Sequence, residues 1–215
     1  MSRTFALILS LAALPTLAAA EDPLHPLESV CVRYETTGPL MNGETVRCHR
    51  AFGWEQYEVQ DFSISMAGIT QTQRMHSITV GDTIYNINTA NMTATKTTNP
   101  FFAPVAQAVS RSSPEEMGQN IMQAMGFRAT GQIRTIAGHE CEMQVSPIIG
   151  TACMTADAVI LEQELMGLKM TATRVEIDQG GGEDAMYTLY KALPVSAGPD
   201  LSDGIGGLLQ SLQGN

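Results

Sequence analysis

Residues 75–98, MHSITVGDTIYNINTANMTATKTT, alternate apolar and polar residues around two turn signals, Gly81-Asp82 and Thr89 to Asn91. Alternation sends successive side chains to opposite faces, so the stretch predicts a meander of half-buried antiparallel strands. The same rhythm reaches upstream to Val30, where VCVRYETTG and ETVRCHR flank the turn-rich GPLMNG. In EQYEVQDFSISM, Tyr57 and Val59 share one parity and Phe62, Ile64 and Met66 the other. That switch predicts a bulge near Gln60 and Asp61. Several long strands in succession imply a curved sheet.

At Asn99 the period changes. NPFFAPVAQAVSRSSPEEMGQNIMQAMGF has helical spacing, and its second half carries start and stop signals: Ser113 as N-cap, Pro114 at the first position, Glu116 closing a capping box and Gly126 past the end. Met117, Ile121 and Met125 recur every four residues and define one apolar face, with Met122 beside it. Such a face either packs on the sheet or closes a hydrophobic groove as a lid. Strands resume from Thr130 to Lys191. In ECEMQV the residues Cys141, Met143 and Val145 share one face, and further strands are predicted over Val159 to Leu165, Leu168 to Ile177 and Ala185 to Lys191, with QGGGED as a loop.

The chain opens MSRTFALILSLAALPTLAAAEDP, the order of cation, apolar run and small residues that marks a secretory signal, with cleavage expected after Ala20. The expected divisions are therefore a signal at 1–20, one domain over 21–195 with a helical insertion at about 101–125, and a flexible Gly-rich tail at 196–215. A periplasmic product follows. The apolar run is too short to span a bilayer as a helix, so no transmembrane segment is expected. A net charge of −10 disfavours nucleic acid as a partner.

Four cysteines in an exported chain favour disulfides. Cys141 and Cys153 flank a turn near Pro147, and Cys31 and Cys48 stand in the same relation around GPLMNG, so neighbouring strands can bring each pair into range. Three connectivities remain open on sequence alone. Cys31 also falls with Arg33 and Glu35 on the polar parity of its strand. A redox pair would need C-x-x-C at a helix start, which the chain lacks. A zinc site drawing on His49, His139, Cys141 and Cys153 lacks the usual paired close spacings. No cofactor or metal is expected.

The 13 methionines are spread along the chain rather than clustered, which favours adaptable core or cavity lining over thioether copper ligation, although Arg74-Met75-His76 invites the copper reading. His25, His49, His76 and His139 sit in no H-E-x-x-H run, and G-x-S-x-G is missing. No enzymatic reaction is expected. Trp54 is expected to pack at a strand start.

Five stretches carry a resemblance: MAGITQTQ, VGDTIYNINTANMTATKTTNP, MGQNIMQAMGF, TGQIRTIAGHECE and LMGLKMTATRVEID, together spanning about residues 60–178. Their order and spacing resemble an exported bacterial family of uncharacterised function, related to the periplasmic outer-membrane lipoprotein carriers of the Lol type. The long amino-terminal helix usual in those carriers has no counterpart here. The resemblance implies a mainly β fold with some α: a strongly curved antiparallel sheet, or half-barrel, with one or two helices covering its concave face. It further implies a non-enzymatic binder or carrier of a hydrophobic small molecule, lipid or lipidated peptide. The candidate lid and cavity residues are Met117, Ile121, Met122, Met125, Phe62, Ile64, Met66 and Met143. An interaction module for an envelope protein, in stress sensing or assembly, is the alternative, and copper handling a weaker one.

Overall fold

The computed structural model describes residues 22–66, 69–147, 149–165 and 167–198. Two antiparallel meanders make the sheet. The first is β1 (Val30–Thr37), β2 (Met41–Arg50), β3 (Glu55–Met66), β4 (Ile69–Val80), β5 (Thr83–Asn88) and β6 (Thr93–Thr98). Helices α1 (Phe102–Val109) and α2 (Pro114–Ala124) follow, and then β7 (Arg128–Ile136), β8 (His139–Ser146), β9 (Gly150–Met154), β10 (Ile160–Leu165) and β11 (Leu168–Ile177). A last strand, β12 (Val195–Ala197), joins β6 in parallel. β1 pairs with β11 and fuses the meanders into one open sheet of order β12-β6-β5-β4-β3-β2-β1-β11-β10-β9-β8-β7. The expected signal lies outside the described residues, as does the tail from 199 onward; the expected boundary at 195/196 falls within β12.

The sheet is a curved half-barrel. β3 and β10, separated in the sheet by β2, β1 and β11, line one hollow together, which only a bent sheet permits. Register shifts, of the kind that let a strand bend, lie between Arg33 and Tyr34, Ala129 and Ile133, and Ile160 and Glu162. The bulge expected at Gln60 and Asp61 is not there: β3 pairs with β2 and β4 across both residues without a shift. Its parity switch has another cause. Tyr57 and Val59 pack into a core on the outer face, while Phe62 lies on the inner face, so both parities are apolar because both faces are covered.

The outer cover is α3 (Asp184–Thr188) with a 3₁₀ turn at Leu189–Ala192, where a strand over Ala185 to Lys191 was expected. Three-residue spacing explains the helix. Tyr187 meets Tyr57 edge-on at 4.8 Å between ring centroids, and Tyr190 stacks on Tyr85 at 4.0 Å. Arg50 fastens this cover, its guanidinium 4.1 Å from the Tyr187 ring centroid and paired with Glu55 and Asp184. Gly182 crosses the Cys31–Cys48 bridge so closely that a Cβ would sit 2.4 Å from Tyr57 Oη. The polar parity of Cys31 is thus resolved: its sulfur lies under this cover rather than in solvent.

Both disulfides form, Cys31–Cys48 and Cys141–Cys153, each between neighbouring strands. The second sits in a core with Val32, Tyr34, Leu161 and Ala172. Around it the carboxy-terminal meander curls until β7 touches β11. Glu162 on β10, buried, takes Arg134 from β7 at 2.5 Å and Lys169 from β11 at 2.9 Å, tying the curl. The predicted parity of β8 holds at Cys141 but reverses further on, where Gln144 and Ser146 are buried and Val145 is exposed. The far end of β8 runs toward α2, and Ser146 Oγ reaches the Met125 carbonyl.

The helical insertion divides at 110–113 into two helices, within the one or two expected. α2 starts as predicted: the Glu116 carboxylate accepts from the Ser113 backbone N–H and hydroxyl, and Gly126 adopts a positive φ of 77° past the end. Met117 and Ile121 are buried with Val109 of α1 against Ala152 and Met154 of β9. Gly118 lets α2 settle on the loop after β9, since a Cβ there would lie 2.1 Å from the Ala156 carbonyl oxygen.

Candidate functional site

Register places Val30, Val32, Tyr34 and Thr36 of β1 on the same face as His49, Arg47 and Thr45 of β2 and as Gln56, Glu58, Gln60 and Phe62 of β3. This inner face bounds two hollows. The upper one, about 510 Å³, lies between the sheet and the helices. Its roof is apolar, with Phe102 and Val105 from α1, and Ile121 and Met125 from α2. Its floor is polar, with Tyr34, Arg47, His49, Gln56 and Glu58. The lower one, about 300 Å³, is walled by Met41, Phe62, Leu165, Leu168 and Met170, with Thr36 and Thr45 at its base. Arg47 and Gln163 line both, so the hollows meet at those two side chains.

The waist is a small polar network. Arg47 Nε donates to Glu58 Oε2 at 2.6 Å, and Gln60 donates to the other carboxylate oxygen. Arg47 also lies 5.7 Å from the Tyr34 ring centroid. Removal from water opposes the charge on Arg47, but Glu58 and Tyr34 outweigh it and hold the guanidinium firmly protonated. Burial pushes the Tyr34 phenol up to about 12, and its hydroxyl donates to the Ile160 carbonyl at 2.7 Å. Tyr34 therefore acts as a neutral strut across the sheet.

At the rim of the upper hollow, His25 from the segment before β1 packs on His49, with ring centroids 4.1 Å apart. Burial, then the neighbouring His49, lowers His25 to about 3; burial lowers His49 to about 4 against the opposing pull of Leu27 and Asp178. Both rings are neutral at pH 7. Trp54 stands at the start of β3, edge-on to Phe102 at 5.7 Å, with its indole N–H on the Asp22 carbonyl.

The structure places the expected site residues unequally. Ile121 and Met125 line the upper hollow and Phe62 the lower. Met117 and Met122 turn into the core beneath the helices. Ile64 lies two residues past Phe62 on the same face and outside both hollows, and Met66 ends β3 with its side chain outside the description. Met143 packs with the Cys141–Cys153 core and takes Arg134 on its sulfur. The expected site residues, all of them Met, Ile or Phe, omit Arg47, Glu58, Tyr34 and Gln163, which line the hollows. Their parity was the available signal, since Arg47 alternates with Val46 and Cys48 just as Val32 alternates with Cys31.

Among the described residues no three His, Cys, Asp or Glu side chains gather as an ion site. Met75 and His76 point to opposite faces of β4, so Arg74-Met75-His76 does not converge. Among the described residues no helix is long and apolar enough to cross a membrane.

No family model matches the sequence, and no curated protein matches it. Solved structures similar to the chain include an uncharacterized conserved protein from Thermus thermophilus, with a TM-score of 0.47 and 7% identity over 80% of this chain and 93% of that one. MucB aligns with a TM-score of 0.38 and 10% identity over 76% of this chain and 59% of its own. LprF from Mycobacterium bovis aligns with a TM-score of 0.29 and 14% identity over 73% of this chain and 90% of its own. Likeness at this level leaves function to the chain's own geometry.

Proposed function

We propose that this protein is an exported, non-enzymatic binder or carrier of a hydrophobic ligand, a lipid or lipidated peptide, held in the concave face of the bent sheet. The observation that carries the reading is the pair of hollows meeting at Arg47 and Gln163, the upper one roofed by helix residues and the lower one walled by strand residues. Their volumes fall within the range of about 300–1,000 Å³ common for small-molecule sites. Two formed disulfides support an oxidising compartment such as the periplasm. Native mass spectrometry of protein purified from its own envelope tests the proposal, together with uptake of the uncharged fluorophore N-phenylnaphthylamine. A co-purifying amphiphile and blue-shifted probe emission are expected; the absence of both would overturn the reading.

A second reading, an interaction module for an envelope protein in assembly or stress sensing, draws on one feature. β4 pairs with β5 only from His76 onward, so Ile69–Met75 present an open strand edge. Exposed edges are templates for strand addition. A periplasmic protein captured after delipidation, and lost on Thr72→Pro, would favour this module.

A further inference from the structure

We infer that the guest is a single-chain amphiphile with an uncharged, hydrogen-bonding head group, its chain in the lower hollow and its head at the waist. This deepens the binder reading, on which it rests, by naming the ligand's charge and size.

Size comes from the lower hollow. At about 300 Å³ it sits at the small end of ligand pockets, which suits one chain rather than several. Among the described residues its walls carry no charge apart from Arg47 at the waist, and the hydroxyls of Thr36 and Thr45 approach each other at 3.4 Å. Part of the hydrogen-bonding capacity of those two groups is thus met within the wall.

Charge comes from the waist. Among the described residues lining either hollow, the Asp, Glu, Lys and Arg side chains are Arg47 and Glu58 alone, and they neutralise each other at 2.6 Å. His25 and His49 add no charge at pH 7. An anionic head drawn to Arg47 meets the Glu58 carboxylate in a poorly solvated site, and a cationic head meets Arg47. The net charge of −10 adds a long-range penalty for anions. An ester, amide or hydroxyl faces no such conflict. Gln60 and Gln163 offer both donors and acceptors, and the guanidinium has N–H groups beyond the Nε held by Glu58.

The test is competition for bound N-phenylnaphthylamine by monomyristoylglycerol and by the corresponding monomyristoyl glycerol phosphate, both below their micellar concentrations. The two share chain, ester and glycerol and differ in the anionic phosphate. Monomyristoylglycerol is expected to bind at least about tenfold more tightly. Equal affinity, or tighter binding of the phosphate, overturns the inference and leaves the binder reading standing; binding of neither overturns both. In Glu58→Gln, which frees the Arg47 charge, the preference should shrink by about tenfold or invert. Gln163→Arg adds a cation at the same waist without disturbing the pair, and the same shift is expected there should Glu58→Gln not fold. An unchanged preference in a folded variant contradicts the inference.

Discussion

Arg47 and Glu58 form an ion pair across β2 and β3 on the inner face of the sheet, 2.6 Å from Nε to Oε2, with side chains 32% and 23% exposed. Paired charges on the wall of a hollow cost desolvation that an apolar wall of the same volume would avoid. In the proposed binder the pair would serve the polar end of the guest.

Removing one partner strands the other. Arg47→Met is expected to destabilise the fold by about 1–3 kcal/mol, less than for a fully buried pair because both side chains keep some solvent. The double variant Arg47→Met/Glu58→Met should recover most of that loss. Urea unfolding of the wild type, of the single variants Arg47→Met and Glu58→Met and of the double variant gives the coupling energy, and additive losses would show that the two charges do not depend on each other.

Gly118→Ala inverts the usual helix preference. In an open helix the change gains up to about 1 kcal/mol. Here the new Cβ would lie 2.1 Å from the Ala156 carbonyl, so α2 must lift from the loop after β9. A loss of about 1–3 kcal/mol is expected, with weaker probe binding because Ile121 and Met125 move with the helix. A stabilised variant would show that α2 does not rest on that loop.

Acid should loosen the rim of the upper hollow. His25 and His49 titrate near 3 and near 4 in the folded chain, against about 6.5 when unfolded. Between pH 6.5 and about 4 the unfolded chain takes up protons that the folded chain refuses, so stability falls as pH falls through that window. His25→Phe/His49→Phe should flatten the decline in melting temperature from pH 7 to pH 4.5. An unchanged slope would assign the decline to other groups.

The Cys141–Cys153 bridge joins residues 12 apart in sequence and is buried in the inner core. Replacing both cysteines with alanine should cost about 3 kcal/mol, and the far-ultraviolet dichroism should keep its β signature because β8 and β9 stay paired by backbone hydrogen bonds. A melting temperature that is unchanged by the substitution would contradict this.

How far the fold can be read from residues alone depends on how many faces are covered. The first meander, the capping box at Ser113 and Glu116 and the loop before α3 were legible because each rests on local turn or cap chemistry. Ala185 to Lys191 was not, because its helix is only about two turns long and is fixed by long-range docking of Tyr187 on Tyr57 and Tyr190 on Tyr85. The inner wall was half legible. Phe62, Ile121 and Met125 announce themselves as apolar, whereas Arg47 and Glu58 read as a solvated face until cross-strand register turns them inward. Parity says which residues share a face and is silent about what covers it.

The most direct measurement is a crystal structure of the protein grown with monomyristoylglycerol. Density for an acyl chain is expected beside Phe62, Leu168 and Met170, with the glycerol at Arg47 and Gln163. A lower hollow closed by its own side chains, with any bound lipid on the outer surface, would contradict the account.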